Sequence, residues 1–416
     1  MSDSPLVAKV RPHLSLRDGT PDVVDTPEKL AAAVRALAAA DGPVAVDAER
    51  ASAYRYGHRA YLVQLRRPGA GTFLIDPLPF ANLRPVHEAL STAEWIVHAA
   101  AQDLPCLAEL GLRPARLFDT ELAARLAGYP RVGLAAMVEE LLGFRLNKDH
   151  ARVDWSRRPL PESWLRYAAL DVEVLVELRE ILHTELQRQG KLRWAVEEFE
   201  HVRTAPPPSS PVERWRRVSG IHQVRGRRQL AVVRELWHAR DRRARELDMS
   251  PGKVLSDSAI IRAATGKFRS KKELAATPEF SARPAREFLD EWWDAIGRAT
   301  ACGEAELPAP TPNIDGPPPA HRWSEASPDA AARLSVAKTV VAALADEHRL
   351  PAENLLAPDV VRRLAWQPPH SLDDHAVATA LRRLGARPWQ VGLTAEPLAK
   401  ALRRVELHEL RHSTSP

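Results

Sequence analysis

Cysteine is nearly absent: Cys106 and Cys302 are the only two in 416 residues. That is too few for a disulfide scaffold, and no His/Cys cluster stands beside them to hold zinc. No apolar run reaches the ~20 residues that a membrane-spanning helix needs. The first residues, Met1-Ser2-Asp3-Ser4-Pro5, lack the basic-then-apolar pattern of a secretory leader. A large excess of either charge is absent as well, with 59 Lys and Arg against 54 Asp and Glu. These absences point to a reducing compartment, with the cytoplasm as the expected location, and the length suffices for two to four domains.

Against this background, Val44-Ala45-Val46-Asp47-Ala48-Glu49 stands out, an apolar run that ends in two carboxylates one residue apart. In a β-strand Asp47 and Glu49 share a face. Burial and mutual repulsion raise the pKa of both unless a cation lies between them, so the pair asks for a metal. A second apolar strand, Trp95-Ile96-Val97-His98-Ala99, is followed by a turn and by Gln102-Asp103-Leu104 at the start of a short helix. There Asp103 reads either as a helix-start acid or as a third site carboxylate. A long helix is expected from about Glu162 to Gln187, and on it Tyr167 and Asp171 lie one turn apart on one face. Taken alone, Tyr167 reads as a half-buried core tyrosine, His98 as a core histidine and Trp155 as packing.

Asp47/Glu49, Asp103, and Tyr167 with Asp171, in that order, resemble the DEDDy 3′→5′ exonuclease set. The text between them is similar to ribonuclease D: Tyr61-Leu62-Val63-Gln64-Leu65, Phe118-Asp119-Thr120, and Asp154-Trp155-Ser156-Arg157-Arg158-Pro159-Leu160. The resemblance implies an α/β fold, a ribonuclease H-like exonuclease domain with a mixed sheet flanked by helices. It implies Asp47, Glu49, Asp103 and Asp171 as ligands of two divalent ions, Mg²⁺ or Mn²⁺, with Asp47 bridging. Such a pair of ions, ~3.5–4 Å apart, clamps the attacking and leaving oxygens of a phosphodiester. Tyr167 would orient or deprotonate the attacking water. The family usually has Thr between its first two acids and Phe after them, where this chain has Ala48 and Arg50. Arg50, Tyr56 and His58 are therefore candidates for contacting the terminal nucleotide, or else part of a solvated hairpin turn. Lys148, in the polar stretch before the Tyr167 helix, is a further candidate for phosphate contact.

Positive charge concentrates in residues 211–245, which hold eleven arginines against Glu213, Glu235 and Asp241. A block this basic attracts a phosphate backbone. Arg214, Arg216, Arg217, Arg225, Arg227 and Arg228 are its candidate nucleic-acid contacts, and Trp237 fits a helix core. Two proline-rich stretches, 205–211 and 301–324, read as semi-rigid linkers. They separate an exonuclease domain at 21–204 from helical blocks at 212–300 and 325–408, with tails at 1–20 and 409–416. The helical blocks look like copies at an offset of 101 residues, Glu246 aligning with Glu347, Leu255 with Leu356 and Ile260 with Val361. Both resemble the HRDC module, a small helical nucleic-acid-binding domain. The second is nearly charge-balanced and is expected to serve shape, partner contact or ring closure.

The resemblance thus implies a metal-dependent 3′→5′ exoribonuclease that trims precursor tRNA and other small structured RNAs with 3′ trailers, and the linkers and single set of site residues permit a monomer. Two rivals stay open on the sequence alone. One is a DNA-directed exonuclease with the same site, and the other is a non-catalytic RNA-binding adaptor.

Overall fold

The computed structural model describes residues 12–146, 150, 152–206, 213–311 and 316–413. Six strands form one mixed sheet in the order β1-β4-β3-β2-β5-β6. They are β1 (Val23–Val24), β2 (Val44–Arg50), β3 (Ala60–Arg67), β4 (Gly71–Ile75), β5 (Glu94–Val97) and β6 (Arg116–Asp119). The strands β2, β3 and β4 are antiparallel neighbours, while β5 and β6 run parallel to β2. The central strands are buried on both faces, which explains their nearly continuous apolar text. The helix Pro27–Ala39 starts where the Thr26 hydroxyl accepts from the Lys29 N–H, with Pro27 at its first position. It buries Leu30, Ala33 and Leu37.

The single helix expected from about Glu162 to Gln187 is instead two, Glu162–Glu173 and Leu175–Arg188. The break falls at Val174 (φ −115°, ψ 0°). The first half buries Asp171 and Glu173 against the sheet, and the second turns Leu178, Leu182 and Leu186 into the core. Periodicity alone could not see the break, because every residue from 168 to 175 is buried and no face is marked polar.

Beyond residue 213 the described chain is helical, and the offset of 101 recurs in its geometry. Helices Arg227–Glu246, Pro251–Val254 and Asp257–Thr265 correspond to Pro328–Glu347, Ala352–Leu355 and Pro358–Trp366. Asp248 and Arg349, one offset apart, both take the left-handed conformation (φ 46° and 52°) after the long helix. The two blocks attach differently. The first has a hydrophobic core of its own, built on Trp215, Leu236, Ile260, Phe280 and Trp292. Trp237 packs at the edge of that core, as expected of it. The second block shares one continuous core with the sheet domain, a core that includes Trp389, Leu398 and Leu402 as well as Phe199. Trp194 stacks on Trp389 with ring centroids 5.0 Å apart.

Four arginines of the basic stretch, Arg216, Arg227, Arg228 and Arg234, hold the start of the second proline-rich segment. Arg227 donates to the carbonyls of Glu304, Leu307 and Pro308, and Arg228 to those of Thr300 and Cys302. Arg234 reaches the Glu306 carbonyl and Arg216 that of Ala309. Residues 304–309 are therefore strapped to the first block rather than spaced away from it.

Candidate active site

Asp47 and Glu49 leave the centre of the sheet on β2, and a register shift against β3 follows Glu49. Their neighbour β5 ends at Val97, and the chain turns through Ala99 in the left-handed region (φ 62°, ψ 51°). A 3₁₀ turn, Ala100–Gln102, then delivers Asp103. The turn is held by Asp119, whose carboxylate accepts from the N–H groups of Ala99, Ala100, Glu121 and Leu122 at 2.8–3.1 Å. Burial pushes the Asp119 carboxyl up to about 6 despite those four donors. The sequence marked this residue only as part of the Phe118-Asp119-Thr120 text. Four buried donors converging on it make it the brace of the Asp103 loop.

Asp103 stands at the start of the helix Leu104–Glu109, yet its side chain accepts no capping hydrogen bond. It is not a helix-start acid. It is 4% exposed and faces Asp47, with which it shares a hydrogen bond. On the other side, the helix Glu162–Glu173 packs across β2, β3 and β4 and brings Asp171 onto the same spot. Ligand oxygens of Asp47, Glu49 and Asp171 all lie within 4.8 Å of one another.

Burial raises the pKa of all four carboxyls. For Glu49, Asp103 and Asp171 the charge of Asp47 is the next largest cause of the rise. For Asp47 itself the rise is opposed by the Ala48 N–H and by hydrogen bonding to Asp103. Four acids that cannot all ionise side by side are a donor set suited to hard divalent cations, which supply the missing positive charge. The chemistry of the residues fits the metals that the resemblance implies.

Tyr167 stands one turn before Asp171 and hydrogen-bonds to it. Burial raises its hydroxyl pKa well above the usual value, and Asp171, Glu49 and Asp47 add to the rise. Its ring is gripped by Trp155 and His150, at 6.4 and 5.8 Å between centroids. Trp155, fully buried, is packing as expected. The Asp154–Pro159 text is a clasp: Arg158 binds both oxygens of Asp76 and the Tyr61 carbonyl, while Ser156 accepts from Arg55. His98 donates to or accepts from Thr120 at 2.9 Å, and burial holds its pKa down to about 4. It is a core histidine.

Arg50 departs most from the sequence reading. It ends β2 beside a register shift, where Arg50 faces Ala60 and β3 carries the extra residue Tyr61. Its guanidinium pairs with Asp103 at 3.1 Å and donates to the Gln102 carbonyl at 2.6 Å. Tyr56 donates instead to Asp241 of the first helical block and accepts from Arg245. His58 is exposed and bonded to Ser52. Lys148 lies outside the described residues. Arg214 lies over Trp237, and Arg216 pairs with Glu213. Of the six arginines singled out, Arg214, Arg217 and Arg225 are exposed with no side-chain hydrogen bond or ion pair among the described residues, and Arg214 has the ring of Trp237 alone.

Three family models match this chain. They are a 3′-5′ exonuclease over residues 21–187, an HRDC domain over 229–296, and a 3′ to 5′ exonuclease C-terminal domain over 316–402. Ribonuclease D of Jannaschia sp. (strain CCS1) is 31% identical over 299 residues, 69% of this chain and 76% of that relative. The chain belongs to the ribonuclease D family. As a family member it is a 3′→5′ exoribonuclease with an HRDC helical domain behind its catalytic sheet, which removes the adaptor reading. Among solved structures, this chain resembles a protein from Bifidobacterium adolescentis, with a TM-score of 0.87 and 38% identity. The match covers 95% of this chain and 100% of that one. It also resembles Escherichia coli RNase D, described as an exoribonuclease involved in structured RNA processing. There the TM-score is 0.66 and the identity 28%, covering 87% of this chain and 98% of that one. No helix among the described residues is long and apolar enough to cross a membrane.

Proposed function

We propose that this protein trims the 3′ ends of precursor tRNA and other small structured RNAs one nucleotide at a time, releasing nucleoside 5′-monophosphates. Asp47, Glu49, Asp103 and Asp171 are read as the ligands of two divalent ions and Tyr167 as the residue that positions water. The observation that carries the reading is the convergence of Asp47, Glu49 and Asp171 within 4.8 Å, with Tyr167 one turn from Asp171. Bound divalent ions, Mg²⁺ or Mn²⁺, would supply Lewis acidity and neutralise charge on the phosphodiester oxygens.

The rest follows from the chain's own residues. Asp47, central among the four acids, is the one placed to share its oxygens between two ligand sets. Tyr167 keeps its proton at neutral pH, so its Oη orients water by hydrogen bonding rather than by taking a proton. Apolar packing from Trp155, Ala168 and Ala169 walls the site and keeps its electrostatics strong. The HRDC domain sits against the loop that follows β2, through Tyr56–Asp241, Arg55–Asp248 and the Ser250 N–H to the Tyr54 carbonyl. A folded RNA body held there lies one short loop from the carboxylates. The matching helix bounds also support reading 325–408 as a second, divergent copy of the HRDC fold, one that closes against the catalytic domain rather than reaching for RNA. A monomer suffices for this arrangement.

The test is digestion of 5′-labelled tRNA carrying a 3′ trailer by wild type and Asp171→Ala, with Mg²⁺ or EDTA, beside single-stranded DNA of matched sequence. The expected result is a ladder shrinking from the 3′ end on RNA only, abolished by EDTA and by the substitution. Equal digestion of the DNA would move the assignment to a sugar-indifferent exonuclease. A ladder that survives EDTA would remove the metal reading.

A further inference from the structure

Arg50 is the one cation that reaches the four carboxylates in the described residues, and the way it does so divides the site. Its guanidinium is pinned at two points, the Asp103 carboxylate at 3.1 Å and the Gln102 carbonyl at 2.6 Å. Asp103 is almost wholly buried, while Arg50 keeps 28% of its side chain open to solvent. The other three acids, Asp47, Glu49 and Asp171, stand close enough to hold one ion together, and Asp103 is not in that group. One ligand set is therefore preformed, and the remaining carboxylate is engaged by an internal cation.

We propose that Arg50 acts as a resident counter-cation on Asp103 that weakens binding of a second divalent ion there, and that the phosphate of the RNA 3′ end displaces it. This inference rests on reading the four acids as metal ligands. A guanidinium and a divalent ion repel, so each weakens the other's hold on a shared buried carboxylate. Arg50 sits at the solvent-facing edge of the pair, where a phosphodiester can reach it, and a guanidinium binds phosphate oxygens through paired N–H donors. Handing Arg50 from Asp103 to the substrate phosphate frees Asp103 as the phosphate arrives. Metal loading and substrate binding are then coupled, each strengthening the other by the same factor. Arg50 stands at the end of β2, where the register against β3 shifts by one residue, and from there it spans to the turn that carries Asp103. An apolar residue at this position would leave Asp103 open to a second ion from the outset.

The coupling can be read without turnover. Mn²⁺ binding to the full-length chain is followed by electron paramagnetic resonance of free Mn²⁺ and by calorimetry, with and without saturating adenosine 5′-monophosphate. Wild type, Arg50→Gln and Arg50→Lys are compared after circular dichroism has established that each is folded. Wild type is expected to bind one Mn²⁺ tightly and a second at least tenfold more tightly when the nucleotide is present. In Arg50→Gln the second ion binds at least tenfold more tightly without nucleotide, and the nucleotide effect shrinks accordingly. Arg50→Lys, which keeps the charge, stays close to wild type. Isotherms of Arg50→Gln that superpose on wild type overturn the proposal. So does a second site that weakens in that variant, which would make Arg50 a scaffold for Asp103. If wild type takes up no Mn²⁺ with or without nucleotide, the metal reading itself falls and the role of Arg50 with it.

Discussion

The contact between the catalytic domain and the C-terminal helical block centres on one buried carboxylate, and its removal has a calculable cost. Glu198, on the helix Leu192–Thr204, is 5% exposed. It accepts from Arg387 Nε at 2.6 Å and Nη2 at 2.9 Å, and from the Trp389 indole at 2.8 Å. Replacing Arg387 with Met keeps most of the volume but leaves a buried charge with the indole alone. Breaking one side of such a pair costs about 3–5 kcal/mol. In the double variant Glu198→Leu/Arg387→Met both charges leave together, and the loss is expected to shrink to about 1–2 kcal/mol, since an apolar pair of similar volume often replaces a buried ion pair at little cost. The two parts share one hydrophobic core, so the loss should register in the main unfolding transition. Urea denaturation followed by tryptophan fluorescence reads it directly, because Trp194 and Trp389 stack beside the pair. An Arg387→Met variant within about 1 kcal/mol of wild type, or a double variant no better than the single, refutes the reasoning.

Three further outcomes are expected. Tyr167→Phe should lower the hydrolysis rate about 10- to 100-fold while its pH–rate profile keeps the wild-type shape, because the hydroxyl is held protonated; loss of a limb in the variant would make Tyr167 a base. His98, held down to about 4 against an ordinary 6.5, stays neutral in the fold, so the unfolded chain takes up its proton first. Its contribution to stability is therefore complete above pH ~6.5 and lost as the pH falls towards 4, by about 3 kcal/mol in all. Asp119, raised to about 6, works in the opposite sense over part of that range. Comparing urea unfolding of wild type and His98→Gln at pH 7.5, 6 and 4.5 isolates the histidine, and two parallel curves would contradict the assignment. Gly128 ends the helix Thr120–Ala127 at φ +90°, and an added Cβ there would stand 2.6 Å from the Arg349 carbonyl oxygen across the C-terminal contact. Gly128→Ala should cost about 2–4 kcal/mol from left-handed strain and the forced separation. A thermal unfolding midpoint unchanged from wild type would show that the contact yields freely.

Local chemistry was legible in the chain. Asp47 and Glu49 share a face because strands alternate, and Tyr167 and Asp171 share one because a helix turns every 3.6 residues. The 101-residue repeat was equally visible, since each copy must bury the same helical stripes, and the helix bounds keep that spacing. The arginine block could not be read in the same way. Net charge counts guanidinium groups, but it says nothing of the carbonyls that Arg227, Arg228 and Arg234 find across the fold. Tyr56 likewise met Asp241 rather than solvent, a partner 185 residues away.

The sequence by itself determined which groups could do the chemistry and which elements would carry them, because residue type and short-range periodicity are local properties. Only the tertiary structure decided which of those groups meet. It broke the long helix at Val174, freed Asp103 from capping, gave Asp119 the loop to brace, and set Arg50 against Asp103. Each of these outcomes depends on contacts between segments far apart in the chain, and such contacts form only when the layers pack.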